Sequence, residues 1–314
     1  MTTQSIPHQT RGRSRFAPNR LQFWESLSGW LFATPWILGF CLFLAAPILI
    51  SFVMSFTDWD VVSAPKFVGL DNYQEIFQDA LFFQSMKVTT IYALVAVPLQ
   101  VALGVGIAVL LNSKIRYVGI YRTLFYLPAI LPVVATAVIW RYMFSRDWGL
   151  INMGLSTVGI TGPAWLADPN WALMAMVVMS LWSVGSSILI YLAGLQGIPT
   201  ELYEAAKVDG AGPFTQFRHI TVPMLSPVIF FQLVVGLISA FQVFAQPQIM
   251  TDGGPQNATL FYLLYLYRNA FQFFRMGYAS ALSWILILYI VALTTFVIRS
   301  SAAWVYYEGE MRDS

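Results

Sequence analysis

The side chains able to do chemistry gather in one polar interruption of a greasy chain. Between its fourth and fifth long apolar runs lie Glu201, Glu204, Lys207 and Asp209, then Gly210, Gly212-Pro213, Phe214, Phe217, Arg218 and His219. Thr200, after Pro199, is placed to cap a helix. Glu201 and Glu204 then sit in its first turn, favoured by the positive end of the helix dipole. Gly210 can take the positive φ that ends a helix, and Pro213 suits the first position of the next. Phe214, Phe217, Ile220 and Val222 give that second helix an apolar face. The product is a compact knob of two short helices joined at Ala211-Gly212, with Ala205 and Ala206 leaving a flat surface. Acids exposed this way suit docking to a charged partner; an ordinary amphipathic loop accounts for the local pattern equally well.

Two further sets of polar residues recur at helical spacing inside apolar runs. One is Ser180, Ser183, Ser187, Tyr191 and Gly194; the other is Gln232, Gly236, Ser239, Gln242 and Gln246. Steps of three and four put each set on one helix face. Helix–helix packing explains small and hydroxyl residues in such stripes. Glutamines are costlier to bury, so the second stripe is the better candidate for lining a polar path. Ser183, Ser186, Ser187, Ser239, Gln242 and Gln246 are the candidate path residues, with Trp182 and Phe244 as aromatic faces for a sugar ring.

The elements that must position these residues are membrane spans. Hydrophobic residues make up 58% of the chain and charged ones 10%, well off the soluble balance. Six runs are long enough to cross a hydrocarbon core: about 29–56, 88–111, 123–144, 171–195, 227–250 and 278–298. The uncharged stretch 148–167 is rich in Gly, Asn, Ser, Thr and Pro and reads as a loop with a short helix. After the Thr251-to-Pro255 turn cluster, 259–272 reads as an amphipathic, Tyr- and Phe-rich stretch at the membrane interface. The expected fold is all-α, a polytopic transmembrane helical bundle of six spans. It divides into a tail (1–28), the first span (29–56), a loop (57–84), a core with five spans (85–300) and a second tail (301–314).

Lys/Arg bias sets the orientation. One side collects Arg11, Arg13, Arg15, Arg20, Lys114, Arg116, Arg122, Lys207, Arg218, Arg299 and Arg312. The other holds Lys66, Lys87, Arg141, Arg146, Arg268 and Arg275, behind an acidic loop of Asp58, Asp60, Asp71, Glu75 and Asp79. Both termini and the knob are therefore expected on the cytoplasmic side.

Several functions are excluded. None of the four lysines follows a glycine, so there is no phosphate-cradling Walker loop. No His-Glu-x-x-His or Gly-x-Ser-x-Gly sequence occurs, and the histidines are only His8 and His219. No acid, lysine or arginine sits deep in a predicted span, which removes the usual proton relay. Near-neutral charge leaves no nucleic-acid footprint, and the single Cys41 cannot form an internal disulfide. No catalytic or metal site is expected, and no bound cofactor.

The spacing Glu204-Ala205-Ala206, three residues, Gly210, nine residues, Ile220-x-x-Pro223 resembles the EAA loop of ABC-importer permeases. Phe67-Val68-Gly69-Leu70-Asp71-Asn72-Tyr73, Leu127-Pro128, Asp209-Gly210-Ala211-Gly212 and Thr251-x-Gly253-Gly254-Pro255 are similar to the maltose- and glycerol-phosphate-type branch, its first membrane subunit in particular. Val222 stands where that loop usually has Leu. The resemblance implies a type I ABC importer permease in a bacterial or archaeal cytoplasmic membrane. It implies a second homologous permease, two separate ATPase subunits that carry ATP and Mg, and an external solute-binding protein delivering a sugar. The docking loop (199–223) would present Glu204, Ala205, Ala206, Asp209, Gly210, Ala211, Gly212, Phe217, Ile220 and Pro223 to the ATPase. Sugar-contacting positions of the maltose-type subunit would fall on Ala129, Val133, Ser183, Ser186, Gly236, Ala240 and Val243. Most are apolar here, so either the partner permease holds the sugar or the contacts have moved to neighbours such as Gln242 and Gln246. A self-contained secondary transporter or facilitator for a neutral polar solute is the alternative.

Overall fold

The computed structural model describes residues 20–113 and 116–306. Arg11, Arg13, Arg15, Lys114 and Arg312, on which part of the orientation rests, lie outside the described residues. The chain divides into two units, Met1–Val53 and Met54–Ser314.

The first unit is built from α1 (Arg20–Phe40), a π-helical turn (Cys41–Ala45) and most of α2 (Ala46–Met54). Leu27–Met54 forms one apolar helix of 28 residues, about 42 Å at 1.5 Å per residue. Trp30, Phe32, Trp36 and Phe43 are exposed along it, as lipid-facing side chains are.

The second unit opens with a two-strand antiparallel hairpin, β1 (Thr57–Asp58) and β2 (Lys66–Phe67), pairing Thr57 with Phe67. This strand pair was not expected from the sequence. The helices α3 (Asp71–Ile76), α4 (Ala80–Asn112), α5 (Val118–Ile130), α6 (Val133–Met143), α7 (Leu150–Thr157), α8 (Pro169–Leu181) and α9 (Gly185–Gln196) follow. Next come α10 (Thr200–Val208), α11 (Pro213–Gln216), α12 (Val222–Ala240), α13 (Ala245–Met250), α14 (Tyr262–Tyr267) and α15 (Met276–Ser301).

α4 is the central post, packed against α8, α9, α12 and α14. Its buried face carries small residues, Ala93, Ala96, Gly104 and Ala108, between larger ones such as Tyr92 and Val97. Lipid tails offer no hydrophobic incentive for helices to associate, so close backbone approach is what binds them. A methyl group on Gly104 would lie 2.8 Å from the Tyr191 ring, and one on Gly236 would lie 2.9 Å from Val97. These two glycines seat α9 and α12 against α4.

Asp79 caps the N-terminus of α4, accepting from the Leu81 N–H at 2.8 Å. The same carboxylate accepts from the Tyr278 hydroxyl at 3.0 Å and from the Tyr265 hydroxyl, drawing α14 and α15 onto the end of α4. Burial pushes the Asp79 carboxyl up, but the bonds from Tyr265, Leu81 and Tyr278 outweigh it and hold it below the usual 3.8. The Tyr265 phenol is pushed up to about 12, first by burial and then by that carboxylate.

Among the described residues, four helices are long and apolar enough to span a membrane: Leu27–Met54, Ala80–Asn112, Pro213–Ala240 and Met276–Ser301. The expected third span is instead two helices, α5 and α6, meeting at 99°. Pro132 lacks an N–H to donate and drives Leu131 into the extended region (ψ 137°), which ends α5. The expected fourth span bends by 50° between α8 and α9. The count reaches six when each bent pair is taken as one span.

The expected fifth span also stops early, at Ala240. Pro247 has no N–H to donate to the Val243 carbonyl, so a continuous helix through 250 would break its ladder there. The chain turns at 241–244 and restarts as α13, where Pro247 falls in the first turn. The short helix α7 within 148–167 and the apolar α15 match the reading of those stretches.

Candidate functional site

The two bends and the early stop of α12 together leave a hollow. A cavity of about 790 Å³ opens between α4, the α5–α6 corner, the α8–α9 bend and the α12–α13 break. That volume is within the range of small-molecule sites. Ser183, Ser186, Ser187, Ser239, Gln242, Gln246 and Phe244 all line it. Trp182 does not. Its ring stands edge-on to Trp140, 5.7 Å between centroids, in the wall behind the lining. Ala129, Val133, Gly236, Ala240 and Val243, the positions implied by the maltose-type resemblance, line it as well. The apolar contact positions and the neighbouring glutamines thus share one chamber.

The stripe on the fifth run does not survive as one helix face. Gln232, Gly236 and Ser239 come from α12, whereas Gln242 lies in the turn and Gln246 on α13. The break, rather than a continuous 3.6-residue period, brings them to one cavity.

Sequence reasoning did not name Gln100, Tyr92 or Thr136, which also line it. Gln100 had a legible signal: it is an amide in the middle of a long uncharged run, two residues after Pro98. Thr136 had none, because a threonine in an apolar helix more often satisfies itself on its own backbone.

The cavity lining contains no Asp, Glu, Lys, Arg or His. The side-chain amides of Gln100, Gln232, Gln242 and Gln246 donate to and accept from no protein group among the described residues. Each amide offers two donors and a carbonyl acceptor, and a buried amide left without a partner is costly. Gln232 is 9% exposed and lines the cavity, where water or a solute can complete its amide. Such a wall suits a neutral solute carrying many hydroxyls.

At one end of the bundle the polar loop folds as two short helices. α10 is capped by Pro199 rather than Thr200, which is its first residue, so Glu201 is in the first turn and Glu204 in the second. The Ala211 N–H donates to the Ala206 carbonyl at 2.8 Å and the Gly210 N–H to the Lys207 carbonyl at 3.1 Å. This pair of bonds is a Schellman closure, and Gly210 takes its left-handed position at φ +76°. Pro213 opens α11, and a π-helical turn (Phe217–Thr221) joins it to α12.

The knob has an anchored side and a free side. Tyr203, Phe217 and Ile220 pack against a buried cluster that includes Leu111, Ile188, Leu195 and Leu225. The Tyr203 hydroxyl lies 3.0 Å from the Thr221 hydroxyl, tying α10 to the root of α12. Phe217 and Ile220, expected on the docking face, are turned toward the bundle, and Pro223 is half-buried. Glu204, Ala205, Asp209, Gly210 and Gly212 are exposed, with Ala206 and Ala211 half-buried. Val208 at 89% and Phe214 at 74% exposure add a greasy rim to this charged surface.

Residues 100–305 match the family described as the binding-protein-dependent transport system inner membrane component. The chain belongs to that family. The permease is 44% identical over 291 residues to the probable ABC transporter permease protein YesP of Bacillus subtilis, covering 91% of this chain and 94% of YesP. It is 36% identical to the lactose transport system permease protein LacF of Rhizobium radiobacter, over 87% of this chain and 94% of LacF. It is 33% identical to the trehalose/maltose transport system permease protein MalF of Thermococcus litoralis, over 89% and 94%.

Its fold matches a crystal structure of a bacterial ABC transporter involved in the import of the acidic polysaccharide alginate, with a TM-score of 0.77. That match covers 90% of this chain and 99% of the other at 24% identity. A second alginate transporter structure, in complex with an alginate pentasaccharide-bound periplasmic protein, matches at TM-score 0.77 and 22% identity, over 90% and 97%. The permease therefore has the type I ABC importer permease fold, and the family reading made from the spacing of its loop holds.

Proposed function

We propose that this permease forms part of the translocation path for a neutral sugar or oligosaccharide, and that separate ATPase subunits drive it through the knob. The observation that carries the solute class is the uncharged cavity with four unpartnered glutamine amides. Hydroxyls of a sugar can complete those amides without bringing a charge into the membrane interior, and Phe244 offers an apolar ring face. The names of LacF and MalF, permeases of lactose and trehalose/maltose systems, support the same class.

The knob supports the coupling half of the reading. Its anchored side packs against the cluster shared by α4, α9 and the root of α12, so a pull on α10 is borne by helices that also line the cavity. Its free side, acidic at Glu201, Glu204 and Asp209 and apolar at Val208 and Phe214, suits a groove with basic and apolar residues. In this reading the knob lies in the cytoplasm. A second permease closes the open side of the cavity, and an external binding protein delivers the solute on the side of Gly253. A proton-coupled transporter would need a titratable relay in its path, and the cavity lining holds no acid, lysine, arginine or histidine.

The test is uptake by the assembled importer in proteoliposomes. Gln232→Leu with Gln242→Leu keeps the side-chain volumes but removes two amides. Losing two solute hydrogen bonds of about 1 kcal/mol each predicts a roughly 30-fold higher half-saturating solute concentration. Unchanged saturation in the double variant would assign these residues to helix packing.

A further inference from the structure

The loop between α6 and α8, at the end of the bundle opposite the knob, carries α7 with its polarity reversed. A helix on a water-exposed surface turns its polar residues outward and packs its apolar ones inward. In α7 the polar residue Asn152 faces in. Its Nδ2 donates to the carbonyls of Arg146 and Pro163, each at 3.2 Å, and its Oδ1 accepts from the Trp165 Nε1 at 2.7 Å. A methyl group on Gly162 would lie 1.9 Å from that oxygen, so the returning chain crosses directly over the amide. Ile151, beside it, packs on the main core. The outward side is apolar: Trp148, Leu150, Met153, Val158 and Ile160 are between 53% and 80% exposed.

The polar groups on that outward side are already satisfied. Ser156 and Thr157 are exposed, yet their hydroxyls donate to the Met153 and Gly154 carbonyls, both at 2.7 Å. The Ile160 N–H donates to the Leu155 carbonyl and the Gly159 N–H to the Ser156 carbonyl, both at 3.0 Å, with Gly159 at φ +78°. This closure ties off the carbonyls at the end of the helix. Backbone and hydroxyl groups that meet lipid must find such partners within the protein.

The apolar face also continues into the wall of the bundle. Trp165, bonded to Asn152, stands 5.3 Å from Trp171 between ring centroids. Trp171, Met174 and Val178 then run along α8 as one exposed apolar stripe at helical spacing. On the other flank Tyr142, in the last turn of α6, is exposed as well. Trp and Tyr gathered at the ends of spans form the aromatic belt of a membrane interface. Exposed Arg146 and Asp147 directly precede Trp148, which holds the face at headgroup depth.

We infer that α7 lies in the lipid headgroup zone, with Trp148, Leu150, Met153 and Val158 against the acyl chains, and anchors the α6–α8 corner to the membrane surface. The inference needs the membrane location of the family and neither the solute class nor the ATPase coupling proposed above.

The test uses the full importer, its partner subunits free of cysteine and this chain carrying Cys41→Ser, in vesicles of phosphatidylethanolamine and phosphatidylglycerol. Met153→Cys, Val158→Cys and, as a control on the turn after Pro255, Gln256→Cys are labelled singly with the fluorophore NBD. Met153 and Val158 are both exposed, so the label displaces no packed side chain. Lipids with a nitroxide at the headgroup are expected to quench the labels at Met153→Cys and Val158→Cys at least twofold more than the label at Gln256→Cys. They should also quench those two labels more than lipids with a nitroxide at the chain end do. Equal quenching at all three positions overturns the inference. Blue-shifted emission without nitroxide quenching overturns it too, and assigns the face to the partner permease. Emission that shifts only when the binding protein is added assigns the face to that protein and overturns it as well. Stronger quenching from the chain end would sink α7 into the membrane interior and overturn the headgroup placement. None of these results bears on the solute path or the knob, so the proposed function is tested separately.

Discussion

Gly185 sets the corner on which the cavity depends, and its replacement by alanine is a sharp test of the architecture. The residue opens α9 just beyond the 50° bend, where the helix meets the middle of α5 at Phe125 and Tyr126. An alanine Cβ there would lie 2.2 Å from the Phe125 carbonyl oxygen and 2.9 Å from the Tyr126 Cα. Carbon and oxygen rest comfortably at about 3.3 Å, so the helices must part by roughly 1 Å. Both obstructing atoms are backbone, and no rotamer change can remove them. Overpacking of this kind costs about 1–3 kcal/mol, and a rigid neighbour argues for the upper half of that range. At roughly 2–4 °C per kcal/mol for a unit of this size, the melting temperature should fall by about 4–12 °C. Ser186 and Ser187 would shift with α9, so uptake should fall as well.

Gly106→Ala is the control. It sits inside α4, where an added Cβ meets nothing within 4 Å, and relief from glycine should stabilise the helix by up to about 1 kcal/mol. Thermal unfolding of the detergent-purified complex, followed by tryptophan fluorescence, reads both. Equal melting temperatures for the two variants would refute the claim that backbone contact at Gly185 fixes the corner.

Two further outcomes concern the knob and the end of α4. Gly210→Ala forces a Cβ into φ +76°, at a cost of about 1–2 kcal/mol. It should speed proteolysis within the knob and lower ATP-driven uptake, with Gly210→Asn milder on both readouts. Asp79→Asn keeps a cap but removes the charge that Tyr265 and Tyr278 serve, for a loss of about 1 kcal/mol at neutral pH. Because the folded-state value of Asp79 is lowered, its contribution is complete above the ordinary value of 3.8 and disappears as pH falls through the lowered one. Melting temperatures of wild type and Asp79→Asn should therefore differ at pH 7 and converge below that value.

Much of this was legible in the sequence, and the reasons differ by element. Length and apolarity marked α4 and α15, because a lipid-facing helix has little freedom in composition. The closure at Gly210 and the start at Pro213 were readable, since left-handed φ and a missing N–H are local constraints. What the sequence hid was long-range. Pro132 stood inside the run 123–144, but whether a proline there bends a span or turns it by 99° depends on what packs on either side. Pro247 was a visible obstacle to a helix through residue 250, yet the continuous polar stripe from Gln232 to Gln246 masked it. The inward turn of Phe217 and Ile220 depended on the cluster at Leu195 and Leu225, which no local pattern reveals.

The central claim is that the knob admits another protein's ATP cycle to a cavity built for neutral solutes. Its most direct measurement is ATP-driven sugar uptake in proteoliposomes holding this chain, its partner permease, the ATPase subunits and the solute-loaded binding protein, with Glu204→Ala against wild type. The account predicts at least a tenfold loss of uptake in the variant, about the value of one charge-assisted contact, with binding-protein docking unchanged. Uptake by this chain without ATP, or wild-type rates in Glu204→Ala, would contradict it.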